Sequence, residues 1–560
     1  MSTIYRYGLF LVVSTLLTAL VISQNANLAS SVAETSELQK DNYGDQLGTV
    51  QFPISCSDEA KPQVERGVAL LHHMTYGGAR IAFGVASQID PDCAMSYWGQ
   101  AMTYIHPLWS DAPSKENFER GQTLVTKARN HGQKTDRENA YISAVAAYYE
   151  KGWNKNESAN LQSFETGWEN VYRRYPEDIE AASFYALAHM ATANPGDKTY
   201  VKQKQAGTIA EKVLSQVPDH PGAHHYMIHA YDYPPLAPKA LNVAHRYGEI
   251  APDIPHALHM PTHIFTRVGL WQESIIMNRR SAEAALKHPA GSEISLHYPH
   301  ALDYLVYAYL QQGDDQKAMQ VMEELSTSDD AFQTHIAASY SFTAIPARYA
   351  LERQQWTEAA ALEPRLPKNY PIEKFPAMDA TTYFARALGA ARSGNLTIAN
   401  QALEKLTALH EKSENSSAYW AKQVEIQRLS AMAWLMYQED RKDEALEIMQ
   451  KAAELESSTD KHPVTPGEIL PARELLADML LEMGRYQEAQ VEYEAALERS
   501  ANRFNSLYGA GLAAELSNNK SQAVSYFERL VEITKNVNTD RKQLKHAKLY
   551  LTQNQVLSLR

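Results

Sequence analysis

Cysteine is nearly absent: the 560 residues hold two, Cys56 and Cys93. That count excludes a Cys-rich zinc knuckle and a C-x-x-C redox centre. Positive charge is also short. The chain has 53 Lys and Arg against 66 Asp and Glu, for a net charge of −13. That balance argues against a sequence-independent nucleic-acid binder, which would need a basic face, and no nucleic-acid partner is expected. No Gly-rich phosphate loop or dinucleotide fingerprint follows a strand-like run. Alternating β-branched runs are scarce, while Ala, Leu, Glu and Gln recur at helical spacing. H-E-x-x-H does not occur, and its nearest equivalents, HYMIH and HMPTH, lack the glutamate base, which argues against zinc-protease chemistry.

Long apolar runs are limited to the N-terminus. MSTIYRYGLFLVVSTLLTALVISQ sets Arg6 before an apolar run from Leu9 to Ile22, followed by small and polar residues. Residues 1–23 read as a secretory signal peptide, or as an uncleaved anchor that would be the one tie to a membrane. Residues 24–50 read as a polar tether. The expected location is exported, periplasmic or secreted. In that setting the isolated pair Cys56 and Cys93 reads as a disulfide.

What the chain does contain is a repeated grammar. RGVALLHHMTYGGARIAFGVASQIDPDC, residues 66–93, carries Gly67, Leu70, Ala79, Phe83, Ala86 and Pro91. YLQQGDDQKAMQVMEEL, MLLEMGRYQEAQVEYEAAL and AGLAAELSNNKSQAVSYFERL repeat that order. The pattern resembles the 34-residue tetratricopeptide repeat (TPR), two antiparallel helices joined at a Gly-containing turn. One such unit cannot bury its apolar face alone, so units stack. The expected fold is all-α, a right-handed TPR-like solenoid of stacked helical hairpins in two halves. Residues 51–325 form the N-terminal solenoid with a His-rich groove. Residues 326–375, rich in proline, form an irregular junction, residues 376–535 carry the C-terminal repeats, and residues 536–560 a capping helix or tail. The Pro-rich stretch 457–471 is a loop that folds onto the groove.

Eleven of the 20 histidines lie between His220 and His300. With Gly269 as a turn glycine, His256, His259, His263 and Arg267 form one helical stripe. In HHYMIHAYD, His225, His229 and Asp232 form another. His225 to His259 and His229 to His263 are both 34 residues, so adjacent repeats carry histidine at matching levels. With Gly313 as the next turn, His300 and Asp303 share the levels of His256 and His259. Helices pack ~8–10 Å apart, close enough for imidazoles on neighbouring helices to share an ion. The candidate metal ligands are His225, His229, His259, His263, His300 and Asp232; Asp232 and Asp303 complete the shell or orient a ring. Arg267, with His256 and Asp303, is a candidate for binding a ligand, as an anion clamp. Pro261 predicts a kink that re-aims His259 or spoils its pairing with His263; alternatively it starts a helix and leaves His256 and His259 to the preceding turn. His72, His73 and His106 read as packing residues, with Trp98, Tyr104 and Trp109 beside them. His189 is an outer candidate, and His462 and Arg473 are candidates to close over the site.

Together, DPDCAMSYWGQAM, HHYMIHAYD, HMPTHIFTRVGLW and HPVTPGEILPARE resemble a group of exported bacterial TPR proteins. The resemblance implies the scaffold and leaves the chemistry open. Two functions compete. One is a binding solenoid that takes a protein, a peptide or a small-molecule ligand in its concave groove. The other is a metal-dependent enzyme, a hydrolase or oxidoreductase, using zinc, copper or iron.

Overall fold

The computed structural model describes residues 41–109, 111–153, 157–326 and 331–558. The expected signal or anchor, residues 1–23, lies outside them, as does most of the expected tether. Among the described residues no helix is long and apolar enough to cross a membrane. No strand is present among them; two isolated bridges, Ala290 to Glu293 and Ile294 to Phe332, are the only pairings of that kind.

The expected all-α solenoid of stacked hairpins is what the chain forms. Successive hairpins pair Lys61–His72 with Tyr76–Ile89, Asp136–Tyr149 with Glu157–Arg174, Ile179–Ala191 with Val201–Gln216, and so on to Phe504–Leu516 with Lys520–Ile533. Close approach explains the repeat grammar. A Cβ on Gly67 would sit 2.7 Å from the Phe83 ring, and one on Gly99 would sit 2.3 Å from the same ring. The aromatic ring of one helix thus seats against bare backbone on two neighbours. Cys56 and Cys93, at the two ends of the first hairpin, are joined as a disulfide.

The core divides into two clusters, one running from Leu47 to Phe265 and the other from Trp271 to Ala547. The change falls at the Gly269 turn and not at residues 326–375. That expected junction instead contains the helix Ile336–Glu352, whose residues from Ala337 onward are all buried. Its Pro346 is tolerated within the helix. The proline-rich composition belongs to the short pieces after it.

Residues 42–50 also differ from the tether expected there. Gly44 N–H donates to Asp253 (3.0 Å) and Thr49 N–H to the Asp219 carbonyl (3.0 Å). Leu47 is buried, and its carbonyl accepts from His73 Nε2 (3.0 Å). This segment straps the N-terminal hairpins together. At the other end the solenoid curls back on itself. Arg503 reaches the Tyr307 hydroxyl (3.1 Å), and Trp271 Nε1–H donates to the Asn502 carbonyl (3.0 Å).

Candidate metal centre

Four helices carry the site: Pro221–Tyr231, Pro255–His259, Pro261–Val268 and His297–Gln311. Gly269 has φ +71° and Gly313 φ +72°, a region open to glycine at no steric cost. These turns set the register of the histidine stripes. Pro261 has both of its expected effects in part. It starts the Pro261–Val268 helix, yet Met260 before it keeps helical angles (φ −53°, ψ −40°). The two helices run on with a small break, and His259 and His263 stay on one face.

The imidazoles gather into two trios. In the first, His225 Nε2 lies 3.1 Å from His229 Nε2 and 3.1 Å from His256 Nε2. In the second, His259 Nε2 lies 3.1 Å from His263 Nε2, and the His259 and His300 ring centres are 4.3 Å apart. Within each trio the ligand atoms all lie within 4.8 Å of one another. All six histidines are buried or nearly so. His256, assigned from the sequence to ligand binding, sits in the first trio as a ligand equal to the others.

Hydrogen bonds on the far side of the rings fix which nitrogen carries the proton. His263 Nδ1 faces the Asp232 carboxylate (2.9 Å), an acceptor only. His259 Nδ1 faces Asn278 Oδ1 (2.8 Å), and the Asn278 amide is oriented because its nitrogen donates to the Ser274 carbonyl (2.9 Å). His225 Nδ1 faces the His72 carbonyl (2.6 Å). All three rings therefore carry hydrogen on Nδ1 and a bare lone pair on Nε2. In the second trio two such lone pairs face each other at 3.1 Å. That arrangement repels unless a cation lies between them. A proton is a poor candidate: burial and the neighbouring rings hold His225, His256, His259 and His300 well below the usual histidine range, and His229 down to about 3. A metal ion ~2.0–2.1 Å from each nitrogen fits the spacing. Carboxylate, amide and carbonyl partners behind the rings are the usual way such ligands are oriented. Two buried nitrogens, His256 Nδ1 and His300 Nδ1, have no hydrogen-bond partner.

Asp232 is not a ligand. Its Oδ2 accepts from His263 and from Lys461 Nζ (3.0 Å), and its Oδ1 accepts from Arg267 Nε (2.8 Å). Burial alone would raise its pKa, but Lys461 and Arg267 beside it hold the carboxyl well below the usual range. Arg267 is not an anion clamp for the same reason, since it is buried and spent on Asp232 and its carbonyl (3.0 Å). Asp303 is likewise elsewhere. It is fully buried against Arg348 Nε (3.1 Å), and burial pushes its carboxyl up to about 6.

The Pro-rich loop does fold onto the groove. Arg348 donates to the carbonyls of Gly467 (2.7 Å) and Glu468 (2.7 Å), and the single Tyr304 hydroxyl proton lies between those of Pro463 (3.0 Å) and Thr465 (3.1 Å). The loop delivers Lys461 to Asp232, where burial brings its ammonium down to about 8. Arg473 does not join it, being paired with Glu492 (2.5 Å). Beneath the loop lies a small cavity, with about 60 Å³ of room for the centre of a water-sized sphere. His229 and His256 of the first trio and His263 and His300 of the second all line it, with Trp109, Met260, His297, His335 and His462.

His72 contributes in a way the sequence did not signal. Its ring bridges Glu180 (2.7 Å) and the Tyr226 hydroxyl (2.9 Å), while His220 binds the other Glu180 oxygen (3.2 Å). Gly222 makes this possible, since a Cβ there would meet His72 Nδ1 at 2.4 Å. Every ring nitrogen in that cluster is occupied, so it anchors the Pro221–Tyr231 helix. His189 is held by Glu165 (2.7 Å) and Gln205 (2.7 Å) and takes no part in either trio.

Stacked hairpins with an inward-facing histidine groove define a TPR-containing solenoid. The tetratricopeptide repeat model matches residues 470–503. No curated protein matches the chain. Among solved structures it is similar to the human IFIT1 dimer with m7Gppp-AAAA, at 14% identity and a TM-score of 0.37, over 86% of this chain and 96% of that one. It is similar in the same degree to a monomeric IFIT1 mutant with Gppp-AAAA, at 14% identity and TM-score 0.37, over 86% and 96%. At that level the likeness carries no ligand over to this chain.

Proposed function

We propose that this protein is an exported metal-binding solenoid whose imidazole trios hold a transition metal ion and whose adjoining cavity takes a small-molecule ligand. The observation that carries this reading is the His259 and His263 pair, two nitrogens bared by their partners and set 3.1 Å apart. Zinc, copper and iron all suit imidazole ligands. A small ligand is favoured over a peptide because residues 457–471 already occupy the groove above the site, pinned by Arg348 and Tyr304. Export is supported by the disulfide, which persists in oxidising compartments. The second reading, a metal-dependent enzyme, is favoured by the same cavity, since three protein ligands leave a coordination position open to it.

The test is metal content. Full-length protein is purified without chelator and its metals are counted by mass spectrometry, beside a His229→Ala/His263→Ala double variant checked for fold by circular dichroism. Stoichiometric metal in the parent and its loss in the variant is expected. Negligible metal in both, even after incubation with zinc, copper and iron salts, refutes the proposal.

A further inference from the structure

We propose that the groove holds two copper ions, one in each histidine trio, and that dioxygen binds between them. This rests on the metal-binding reading above and deepens it in ion number, element and ligand.

Each trio is a complete three-nitrogen set. His225, His229 and His256 come from one junction of helices, and His259, His263 and His300 from the next. The two sets repeat the same design, an i, i+4 pair plus a third ring from the following hairpin's side: His225 and His229 share one helix, while His259 and His263 lie on one face of two consecutive helices. They are not remote from each other. The His229 and His263 ring centres are 6.3 Å apart, and members of both trios line the one cavity. The open positions of both ions therefore face the same space.

Charge selects the element. The six imidazoles bring no anion to the ions, and the nearest fixed charges are Asp232, Arg267 and Lys461. Two divalent ions would add four positive charges to a buried site that already leans positive, at high desolvation cost. Two copper(I) ions add half as many. Imidazole suits copper, and the Met260 thioether in the cavity wall suits a soft ion such as copper(I).

The walls select the ligand. Apart from imidazoles the cavity is lined by apolar groups, Leu108, Trp109, Leu296, Ile336 and Val464 among them, which admit a small uncharged molecule. With dioxygen the electrons balance within the site. Each copper(I) gives one electron and becomes copper(II), and the dioxygen takes both as a bound dianion with its O–O bond intact. No proton is needed. The two positive charges gained by copper equal the two negative charges gained by oxygen, so the buried site keeps its net charge.

The test uses the full chain, stripped of metal and loaded with copper(I) under anaerobic conditions. Two coppers per chain are expected, with uptake of one dioxygen per pair and no copper(II) resonance signal afterwards, because the paired spins couple. His229→Ala and His300→Asn, each confirmed folded by circular dichroism, are expected to fall to one copper and lose oxygen uptake. Should either variant unfold, the parent's copper stoichiometry, oxygen uptake and resonance signal decide together. One copper per chain in the parent overturns the inference while leaving the metal site standing. So do two bound coppers that take up no dioxygen, a full signal from two isolated copper(II) ions after exposure to oxygen, or zinc displacing copper at equal concentration. No retained metal of any kind overturns the metal reading itself.

Discussion

Asp232 is the residue on which the second trio hangs, and Asp232→Asn gives a two-part prediction. Its carboxylate orients His263 and neutralises two buried cations, Arg267 and Lys461. Asparagine is nearly isosteric and can still accept from His263 Nδ1, so the ring loses basicity more than position. Loss of a partner of this kind costs ~10–100-fold in metal affinity, or about 1.4–2.8 kcal/mol. The stability effect is larger. Removing one member of a buried ion pair costs about 3–5 kcal/mol, because the cations stay behind without their counter-charge. The assay is metal competition against a chelator, run beside thermal unfolding of the metal-free protein. Adding Lys461→Met to Asp232→Asn separates the two parts: it removes one stranded cation and restores part of the stability, but leaves affinity low. Unchanged affinity and melting in Asp232→Asn would refute the idea that Asp232 organises the trio.

Three further outcomes follow from the same geometry. Gly222→Ala is expected to cost about 1–3 kcal/mol by overpacking against His72, and to weaken metal retention because the His72 carbonyl that holds His225 shifts; normal retention would contradict this. Arg348→Met is expected to release residues 457–471, read as new cleavage there in limited proteolysis, since five bonds from that guanidinium hold Asp303, Tyr340 and the loop; an unchanged cleavage pattern would argue against a pinned loop. Burial lowers His73 to about 3, while its ring stays satisfied as the neutral form by Tyr247 and the Leu47 carbonyl. The unfolded chain takes up that proton near pH 6.5 and the folded chain does not, so this contribution is whole above ~6.5 and is lost as pH falls toward 3, at about 1.4 kcal/mol per pH unit. In acid titrations of stability the His73→Gln variant should lack that slope, and parallel curves would count against the assignment.

The parts legible in the sequence are those set by local geometry. Gly269 and Gly313 mark turns, and counting back from each places histidines at fixed levels on the inner face. A 34-residue offset then brings His225 and His229 alongside the next repeat, because stacking preserves level. The fates of the charged residues were not legible. Asp303 and Arg348 are 45 residues apart and Arg267 and Asp232 are 35 apart. Whether a buried acid meets a cation or an ion is decided by which helices close on it. Asn278 was missed as the orienter of His259, although a buried asparagine on the outer helix of a hairpin is a usable signal for a polar partner. The His72 carbonyl gives no signal at all, since any residue there has one; only Gly222, which lets that helix approach, hints at it. Trp109, His297 and His335 reach the cavity from separate hairpins, and that meeting is a property of the superhelix, not of one repeat.

The most direct test of the central claim is anomalous diffraction from crystals of the metal-loaded protein. A peak ~2.0–2.1 Å from Nε2 of both His259 and His263 is the expected result, with Asp232 and Asn278 still bound to the opposite ring nitrogens. No peak between those two atoms, or rings turned so that an N–H lies between them, would contradict the account.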